Sequence, residues 1–269
     1  MSNILDKIFA ERKEDVESDK RERPLVSLKS QITELGGVRD VVSALNQSGG
    51  TRIISEIKLR TPFKGTLREG LEASAIAELY EANGAAAISV LTETRHFGGS
   101  AEIFASVRAI SDLPLLRKDF IFSEYQVYEA RAMQADWFLL IATWLDKNQL
   151  RDLLQLGQGL GIPALVETHN EADLEKALYA GGEILGVNNR DLTSGKTDLD
   201  IARRLIPMGL QEPGKTLVCE SGIHGRMEIE EFESLGAHAF LIGESLMTAP
   251  DIAVKLNELR EAPLDRQDG

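Results

Sequence analysis

The sequence has very few residues that could cross-link the chain or anchor it in a membrane. It contains one cysteine, Cys219, among 269 residues, which excludes an internal disulfide bond. Cys219 lies in the segment TLVCES, which favours a small buried side chain over a nucleophile. No apolar run reaches the roughly 18 residues of a membrane span, and the charged start MSNILDKIFAERKED is not typical of a signal peptide. We therefore expect a cytoplasmic protein with no membrane partner.

Basic residues are also in deficit. The chain has 30 Lys and Arg residues against 43 Asp and Glu residues, which gives a net charge of −13. A surface of this sign repels nucleic acid and anionic membranes rather than recruiting them. Because 43% of the residues are apolar and 27% are charged, the composition is that of an ordinary globular protein. We therefore expect a small-molecule ligand and no nucleic-acid partner.

Motifs of several enzyme classes are missing from the sequence. The four histidines show no metal-ligand spacing, and there is neither an HExxH motif nor a cysteine cluster, so we expect no catalytic metal. The chain also lacks the GxSxG motif of many hydrolases and the Walker loop of nucleotide-binding proteins. These absences weaken hydrolase and nucleotide-transfer interpretations.

What the sequence does contain is a regular alternation of short apolar segments with segments of helical spacing. Parallel strands need such a helical crossover between them, and near-continuous apolar strands indicate that both faces of the sheet are covered. Eight such units predict a single closed (β/α)8 TIM barrel. An open doubly wound sheet is the alternative, but no glycine-rich dinucleotide motif follows the first strand. The predicted strand segments are 51–58, 85–93, 114–120, 136–145, 163–169, 183–192, 216–223 and 239–246.

The predicted barrel does not begin at the start of the chain. Residues 1–48 are interpreted as an N-terminal helical extension, in which a second helix is interrupted at Gly36 and Gly37. This extension could be a plug, a dimer contact or a lid over a site. The barrel itself is expected over residues 49–262, followed by a loose tail at 263–269. No linker indicates a second domain.

Polar and charged residues follow almost every predicted strand. In a parallel barrel the C-terminal strand ends share one face, where active sites of this fold lie. Each residue alone could be a structural ion pair that closes the barrel mouth. Together, lysines and glutamates at five strand ends favour a preorganised polar cavity, because such side chains are seldom buried without partners. The strand-end residues are Glu56, Lys58, Thr92, Glu93, Lys118, Asp119, Thr143, Glu167, His169, Asn188, Arg190, Glu220, Ser221, Gly243, Glu244 and Ser245.

The last two strands carry a different signal. The segments ESGI (220–223) and IGES (242–245) each place a glycine and a small polar residue just beyond a strand. Many barrels bind phosphate through backbone N–H groups in these two loops. Glycine permits the close approach that such binding needs. The sequence therefore predicts a phosphate site here.

Several long segments resemble the indole-3-glycerol-phosphate synthase family of tryptophan biosynthesis. They are ISEIKLRTPFKG, SVLTETRHFGGS, LLRKDFIFSEYQVYEAR, LVETHNEADLEKAL, GVNNRDL, ESGI and FLIGESLM. The resemblance implies a carboxy-lyase that needs no bound cofactor. Its reaction would be ring closure of 1-(2-carboxyphenylamino)-1-deoxyribulose 5-phosphate with loss of carbon dioxide and water. The resemblance also implies a monomer.

The same resemblance implies a role for each residue that matches the family. Lys118 would be the general acid, and Glu167 would be the base or would stabilise a cationic intermediate. Lys58, oriented by Glu56, would hold the substrate carboxylate, and Asn188 would position the ribulose portion as part of the catalytic set. The implied substrate-binding residues are Thr61, Phe97, Arg190, Glu220, Ser221, Gly222, Gly243, Glu244 and Ser245.

One segment departs from the family pattern, and other functions stay open. Thr61 and Phe63 stand where the family commonly has serines, so substrate fit is less closely implied than reaction class. One alternative is another phosphate-binding barrel enzyme, either an isomerase or a Schiff-base aldolase that uses Lys118. A second alternative is a non-catalytic barrel that binds a phosphorylated ligand.

Overall fold

The computed structural model of the chain describes residues 4–191 and 193–261. Eight parallel strands close into a barrel in which β1 pairs with both β2 and β8, as in the registers Ile54 to Ala87 and Ile53 to Phe240. The predicted (β/α)8 barrel is therefore confirmed. The strands are β1 Ile53–Ile57, β2 Ala87–Leu91, β3 Leu115–Lys118, β4 Trp137–Ile141, β5 Ala164–Thr168, β6 Ile184–Asn188, β7 Thr216–Glu220 and β8 Ala239–Ile242.

The strands form the centre of the core. Every residue of β1, β2, β4, β5, β6, β7 and β8 is buried, because side chains that point outward are covered by helices and side chains that point inward fill the barrel. Cys219 in β7 is a buried member of this core, and burial raises the pKa of its thiol to about 12. This environment fits a packing role, since a reactive cysteine needs an accessible thiolate.

Helices follow the strands and are bounded by capping residues. Ser100 accepts a hydrogen bond from the N–H of Ile103 at 3.2 Å, and Asn170 accepts one from Asp173 at 2.9 Å. These caps satisfy N–H groups that a helix leaves without intrahelical partners. The helices are α1 Ile4–Glu22, α2 Leu25–Ile32, α3 Val41–Asn46, α4 Ala73–Ala82, α5 Ala101–Arg108, α6 Glu124–Ala132, α7 Lys147–Gly159, α8 Glu171–Ala180, α9 Asp200–Gly209, α10 Arg226–Ser234, α11 Glu244–Met247 and α12 Ile252–Arg260.

Three helices precede the barrel. The segment that was interpreted as one interrupted helix forms two, because α2 ends before Gly36 and Gly37 and α3 starts anew after its capping residue Asp40. Leu28 of α2 is buried against Tyr125 of α6. The division of the chain at residue 48 stays a prediction, and the predicted tail at 263–269 lies outside the described residues.

The helices of the described chain, 4–191 and 193–261, include none with the length and apolar character needed to cross a membrane.

Candidate active site

A cleft opens at the C-terminal ends of the barrel strands. The structure brings all fourteen predicted catalytic and substrate-binding residues to its walls. Their convergence follows from the fold, because the ends of eight parallel strands lie on the same face of the barrel. The fourteen residues are Glu56, Lys58, Thr61, Phe97, Lys118, Glu167, Asn188, Arg190, Glu220, Ser221, Gly222, Gly243, Glu244 and Ser245.

Lys118 lies at the floor of the cleft. It is the last residue of β3, and its Nζ donates to Oε2 of Glu167 at 2.6 Å and to Oε2 of Glu220 at 3.2 Å. Glu167 comes from β5 and Glu220 from β7, so three strands fix the ammonium group. Both carboxylates are almost fully buried and Lys118 is largely buried. The contacts with carboxylates from two other strands hold the ammonium group in place.

These contacts change the proton affinity of Lys118 and Glu167. Burial lowers the pKa of the Lys118 ammonium, but the nearby carboxylates of Glu167 and Glu220 outweigh burial and raise the pKa above its ordinary value. Burial raises the pKa of Glu167, but Lys118 and His169 outweigh it and hold the pKa well below the usual range. At neutral pH the pair is therefore a protonated lysine beside an ionised carboxylate.

Glu220 differs from Glu167 although both contact Lys118. Burial, together with the charge of Glu167, raises the pKa of Glu220 to about 7 despite the opposing effect of Lys118. Its Oε1 is buried and has no hydrogen-bond partner within the described residues. Gly186 of β6 makes room for this carboxylate, since a Cβ atom at position 186 would collide with Oε1. Glu220 is therefore a group that can take up or release a proton near neutral pH.

A second lysine and carboxylate lie beside β1. Lys58 Nζ pairs with Oε1 of Glu56, because residues two positions apart along an extended strand point to the same face. Gly243 lies next to this pair, and a Cβ atom there would overlap the Glu56 carboxylate. The absence of a side chain at 243 thus allows Glu56 to approach the end of β8.

The loops after β7 and β8 form the end of the cleft where phosphate was predicted to bind. Ser221 and Gly222 have positive φ angles of 66° and 79°, so two successive residues adopt the left-handed conformation that favours glycine. Ser245 Oγ donates to the carbonyl oxygen of Ile223 at 2.5 Å and so joins the two loops. Glu244 Oε2 lies 3.2 Å from Nη2 of Arg190.

Aromatic residues form one wall of the cleft. Phe97 and Phe120 both line it, and their ring centroids are 6.0 Å apart. Phe120 also contacts Trp144 at 5.4 Å, and Trp144 contacts Phe9 of α1 at 5.1 Å. Tilted aromatic contacts at these distances are favourable. This wall suits a flat apolar ligand, and α1 supports it from behind.

A model of the indole-3-glycerol phosphate synthase family matches residues 5–259. The chain belongs to this family. It is 42% identical to the indole-3-glycerol phosphate synthase of Carboxydothermus hydrogenoformans over 254 residues, which are 92% of this chain and 96% of that protein. It is 43% identical to the protein of the same name from Roseiflexus sp. over 265 residues, covering 96% of this chain and 98% of that protein.

Solved structures of other proteins share the fold of this synthase-family chain. A 3-hexulose-6-phosphate synthase has a TM-score of 0.63 at 14% identity and covers 78% of this chain and 98% of its own. Thiamine phosphate pyrophosphorylase from Pyrococcus furiosus has a TM-score of 0.59 at 16% identity, with 82% of this chain and 96% of its own covered. At such identities the likeness shows the barrel fold alone.

Four of the strand-end residues do not line the cleft of this synthase-family chain. Thr92 donates to Asp119 at 2.9 Å, and Glu93 accepts from the backbone N–H groups of residues 95, 96 and 97. Thr143 donates to Asp173 at 2.6 Å, and His169 lies 3.3 Å behind Glu167. These residues hold the loops and strand ends in place.

Asp119 lines the cleft but is bound from behind by two arginines. Its Oδ1 and Oδ2 accept from Arg12 at 3.0 and 2.9 Å, and Oδ2 also accepts from Arg117 at 3.0 Å. Burial raises the pKa of Asp119, but the two guanidinium groups outweigh it and lower the pKa well below the usual range. Asp119 of the segment PLLRKDF therefore belongs to a structural ion-pair network, whereas Lys118 of the same segment faces the ligand space.

Two further polar residues of the cleft, Lys64 and His224, were not predicted from the sequence. Lys64 Nζ pairs with Oε1 of Glu244, and its backbone N–H donates to Thr61 Oγ1 at 3.0 Å. A short hairpin returns the chain so that Lys64 lies at the end of the cleft where phosphate is predicted to bind. The one available signal was its place in KLRTPFKG, next to residues that matched the family.

Within residues 4–191 and 193–261, no three His, Cys, Asp or Glu side chains are arranged to hold a metal ion.

Proposed function

We propose that the protein is an indole-3-glycerol-phosphate synthase of tryptophan biosynthesis. It would convert 1-(2-carboxyphenylamino)-1-deoxyribulose 5-phosphate into indole-3-glycerol phosphate, carbon dioxide and water, as a carboxy-lyase without a bound cofactor. The observation that carries this proposal is the Lys118 ammonium group, held between Glu167 and Glu220 at 2.6 and 3.2 Å in a cleft with a second lysine nearby. Membership of the synthase family supports the same reaction.

The first step forms the carbon–carbon bond. The ring carbon that carries the carboxylate attacks the ketone carbon, and the carbonyl oxygen takes a proton from Lys118 to become a hydroxyl group. The raised pKa of Lys118 keeps it protonated until the developing oxyanion competes for its proton. The ring now carries a positive charge, which the ionised Glu167 stabilises. Lys58 holds the carboxylate until bond formation is complete.

Two eliminations then restore the aromatic system. The carboxylate leaves as carbon dioxide, and the electron pair of its bond returns to the ring. The new hydroxyl group leaves as water with a proton from an acid, while a base removes a proton from the neighbouring methylene carbon. Glu167 serves as this base, and Lys118 or Lys58 supplies the proton. Glu220 and Ser221 bind the substrate hydroxyl groups.

The remaining predicted residues position the substrate. Asn188 Oδ1 accepts from the backbone N–H of Arg190 at 3.0 Å, which orders the chain beside the ribulose portion. Phe97 packs against the aromatic ring, and Thr61 lies near the carboxylate and phosphate ends. Gly222, Gly243, Glu244 and Ser245 offer backbone N–H groups to phosphate. The predictions of a monomer and of a cytoplasmic location stay predictions.

The Schiff-base alternative has less support than general acid catalysis. An amine must lose its proton before it attacks a carbonyl, and enzymes that use lysine in this way lower its pKa. Two carboxylates raise the pKa of Lys118 instead. Borohydride should therefore not trap the substrate on Lys118.

The experiment that tests the proposed function is a fluorescence assay of indole formation from the carboxyphenylamino-deoxyribulose phosphate. We expect turnover by the wild type and a loss of at least about a hundredfold in kcat for Lys118→Ala, the usual range for a general acid. Lys118→Arg should fail as well, because a guanidinium group does not give up its proton. Lys215→Ala, at the opposite end of the barrel, is the matched control. Wild-type binding without turnover would favour the non-catalytic barrel.

A further inference from the structure

The loop after β1 forms a hairpin at the mouth of the cleft. Residues Arg60–Thr61 pair with Gly65–Thr66 in an antiparallel register. The Arg60 side chain donates to carbonyl oxygens of the loop after β2, which anchors one side of the hairpin. The hairpin tip, formed by Pro62, Phe63 and Lys64, therefore projects over the cleft from a fixed base.

The loop after β6, of which residues 189–191 and 193–199 are described, provides a second surface opposite this tip. Arg190 donates to the carbonyl oxygen of Gly195 at 2.9 Å, and the Gly195 N–H donates to Asp191 at 2.9 Å. The Asp191 N–H in turn donates to Lys196 at 2.8 Å. Gly195 has a φ angle of +70°, a conformation that glycine adopts without strain.

The Phe63 ring packs directly on Gly195. A Cβ atom built at Gly195 would lie 3.0 Å from three ring atoms of Phe63, Cγ, Cδ1 and Cδ2. Contact with these three atoms together means that the ring lies against the glycine backbone, in space that a side chain at 195 would need. Phe63 is 45% exposed, so its ring is only partly buried at this contact.

The residue next to Phe63 takes part in a charged bridge that runs beside the same contact. Lys64 pairs with one oxygen of Glu244, and Arg190 lies 3.2 Å from the other. Lys64 is 55% exposed, so this ion pair alone holds it weakly. The packing of Phe63 on Gly195 adds an apolar contact that holds the hairpin tip, which the exposed ion pair does not provide.

We propose that Phe63 is a positioning residue, which seats on Gly195 and thereby holds the β1 hairpin so that Lys64 faces the phosphate end of the cleft. The inference rests on the proposed function, since it assumes a phosphorylated substrate. Lys118 and Glu167 lie on β3 and β5. Lys58 precedes the hairpin and is paired with Glu56 of β1, so the Phe63 contact holds none of these three residues. Phe63 should therefore act on substrate binding through the order of the loop, and leave the chemical step largely unchanged.

The first test separates KM from kcat. We expect Phe63→Ala to raise KM by about fivefold, the effect of losing a partly buried aromatic contact, while kcat changes by less than about twofold. Phe63→Tyr retains the ring and should restore the wild-type KM. A fall in kcat with an unchanged KM, or a failure of Phe63→Tyr to restore KM, would overturn the positioning role.

The second test asks whether the effect passes through Gly195. Asparagine tolerates a positive φ angle, so Gly195→Asn should keep the loop conformation but displace the Phe63 ring and raise KM similarly. The double variant Phe63→Ala with Gly195→Asn should be no worse than either single variant. Gly214→Asn is the matched control, because Gly214 has a φ angle of +76° and nothing within 4 Å of its added Cβ atom. Additive effects of the two substitutions would refute the contact.

Hydrogen–deuterium exchange distinguishes failure of this inference from failure of the proposed function. Exchange of residues 58–67 in the enzyme without substrate should be faster in Phe63→Ala and Gly195→Asn than in the wild type and Gly214→Asn. Faster exchange together with wild-type inactivity would contradict the proposed function and retain the Phe63 contact. Unchanged exchange would overturn the inference whatever the activity.

Discussion

The two carboxylates that contact Lys118 have pKa values that are shifted in opposite directions. Glu167 stays ionised because Lys118 and His169 offset its burial. Glu220 contacts the same ammonium group at a longer distance, 3.2 Å against 2.6 Å, and its pKa is raised to about 7 by burial and by the charge of Glu167. Lys118 and His169 together therefore keep one carboxylate ionised, and the second carboxylate remains able to titrate.

This difference predicts how the Glu220→Gln variant responds to pH. The ordinary pKa of Glu220 is 4.5 and its folded value is about 7, so between these values the folded protein binds more protons than the unfolded chain. Ionisation of Glu220 then lowers the free energy of unfolding as pH rises through this window. Because glutamine does not ionise, the Glu220→Gln variant does not lose stability in this way as the pH rises. We therefore expect the free energy of unfolding of Glu220→Gln, measured relative to that of the wild type, to increase by on the order of 1–3 kcal/mol as the pH is raised from 5 to 8.

Urea denaturation at several pH values measures this effect, and Glu167→Gln is its matched control. The lowered pKa of Glu167 contributes stability that is present above pH 4.5 and is lost as pH falls below that value. Glu167→Gln should therefore be less stable than wild type at neutral pH, and the deficit should shrink in acid. Parallel pH curves for Glu220→Gln and wild type between pH 5 and 8 would contradict the raised pKa of Glu220.

At the scale of elements, local sequence signals predicted the barrel well. Each predicted strand segment contains one observed strand, since a buried parallel strand needs an uninterrupted apolar run and its neighbouring helices need caps. Ser100 and Asn170 are such caps, and both are residue types that favour the start of a helix. The strand ends predicted the cleft for the same reason, because the fold alone brings them together.

Contacts between distant segments could not be predicted in this way. Arg12 and Asp119 are separated by 107 positions, and no local pattern in either segment indicates the other. The same holds for Phe63 and Gly195, whose contact depends on the conformations of two loops. The sequence therefore located Asp119 beside Lys118 but did not indicate that α1 would bind it.

This contact predicts that α1 stabilises the barrel through Arg12. Arg12 donates twice to the buried Asp119 carboxylate. Without Arg12 the carboxylate would keep its contact with Arg117 but would be a buried charge with incomplete compensation, which is destabilising. We expect Arg12→Met to lower the free energy of unfolding by about 3 kcal/mol, as measured by urea denaturation.

Arg151→Met is the control for this prediction. Arg151 pairs with Asp152 on the surface, where the two side chains are 40% and 66% exposed, and exposed pairs contribute little. Arg12→Lys keeps the charge but loses the bidentate contact with Asp119. Its free energy of unfolding should therefore lie between those of Arg12→Met and the wild type. Equal stabilities of Arg12→Met and Arg151→Met would show that α1 is not held by Asp119.

At the scale of the whole molecule, the distribution of charge matters more for attraction of the substrate than the net charge does. The chain carries −13, and the proposed substrate is itself an anion with a carboxylate and a phosphate. Inside the cleft, cations and carboxylates are mixed, but the rim carries Lys64, Arg190 and the exposed Lys196 against the carboxylate of Glu244. A local excess of positive charge at the rim can attract a ligand that the net charge repels, because charges more than about 8 Å away are largely screened at physiological salt.

Lys196 offers a test of this attraction without a change in the catalytic residues. We expect Lys196→Gln to lower kcat/KM about twofold to threefold at low ionic strength with kcat unchanged, and the effect should fade as salt rises. Lys215→Gln removes the same charge from the opposite end of the barrel, where Lys215 donates to the carbonyl oxygen of Gly182, and should have no such effect. If both variants lost kcat/KM equally, the net charge would govern encounter. A loss confined to Lys196→Gln would mean that the rim of the cleft guides the anionic substrate against the overall repulsion of the molecule.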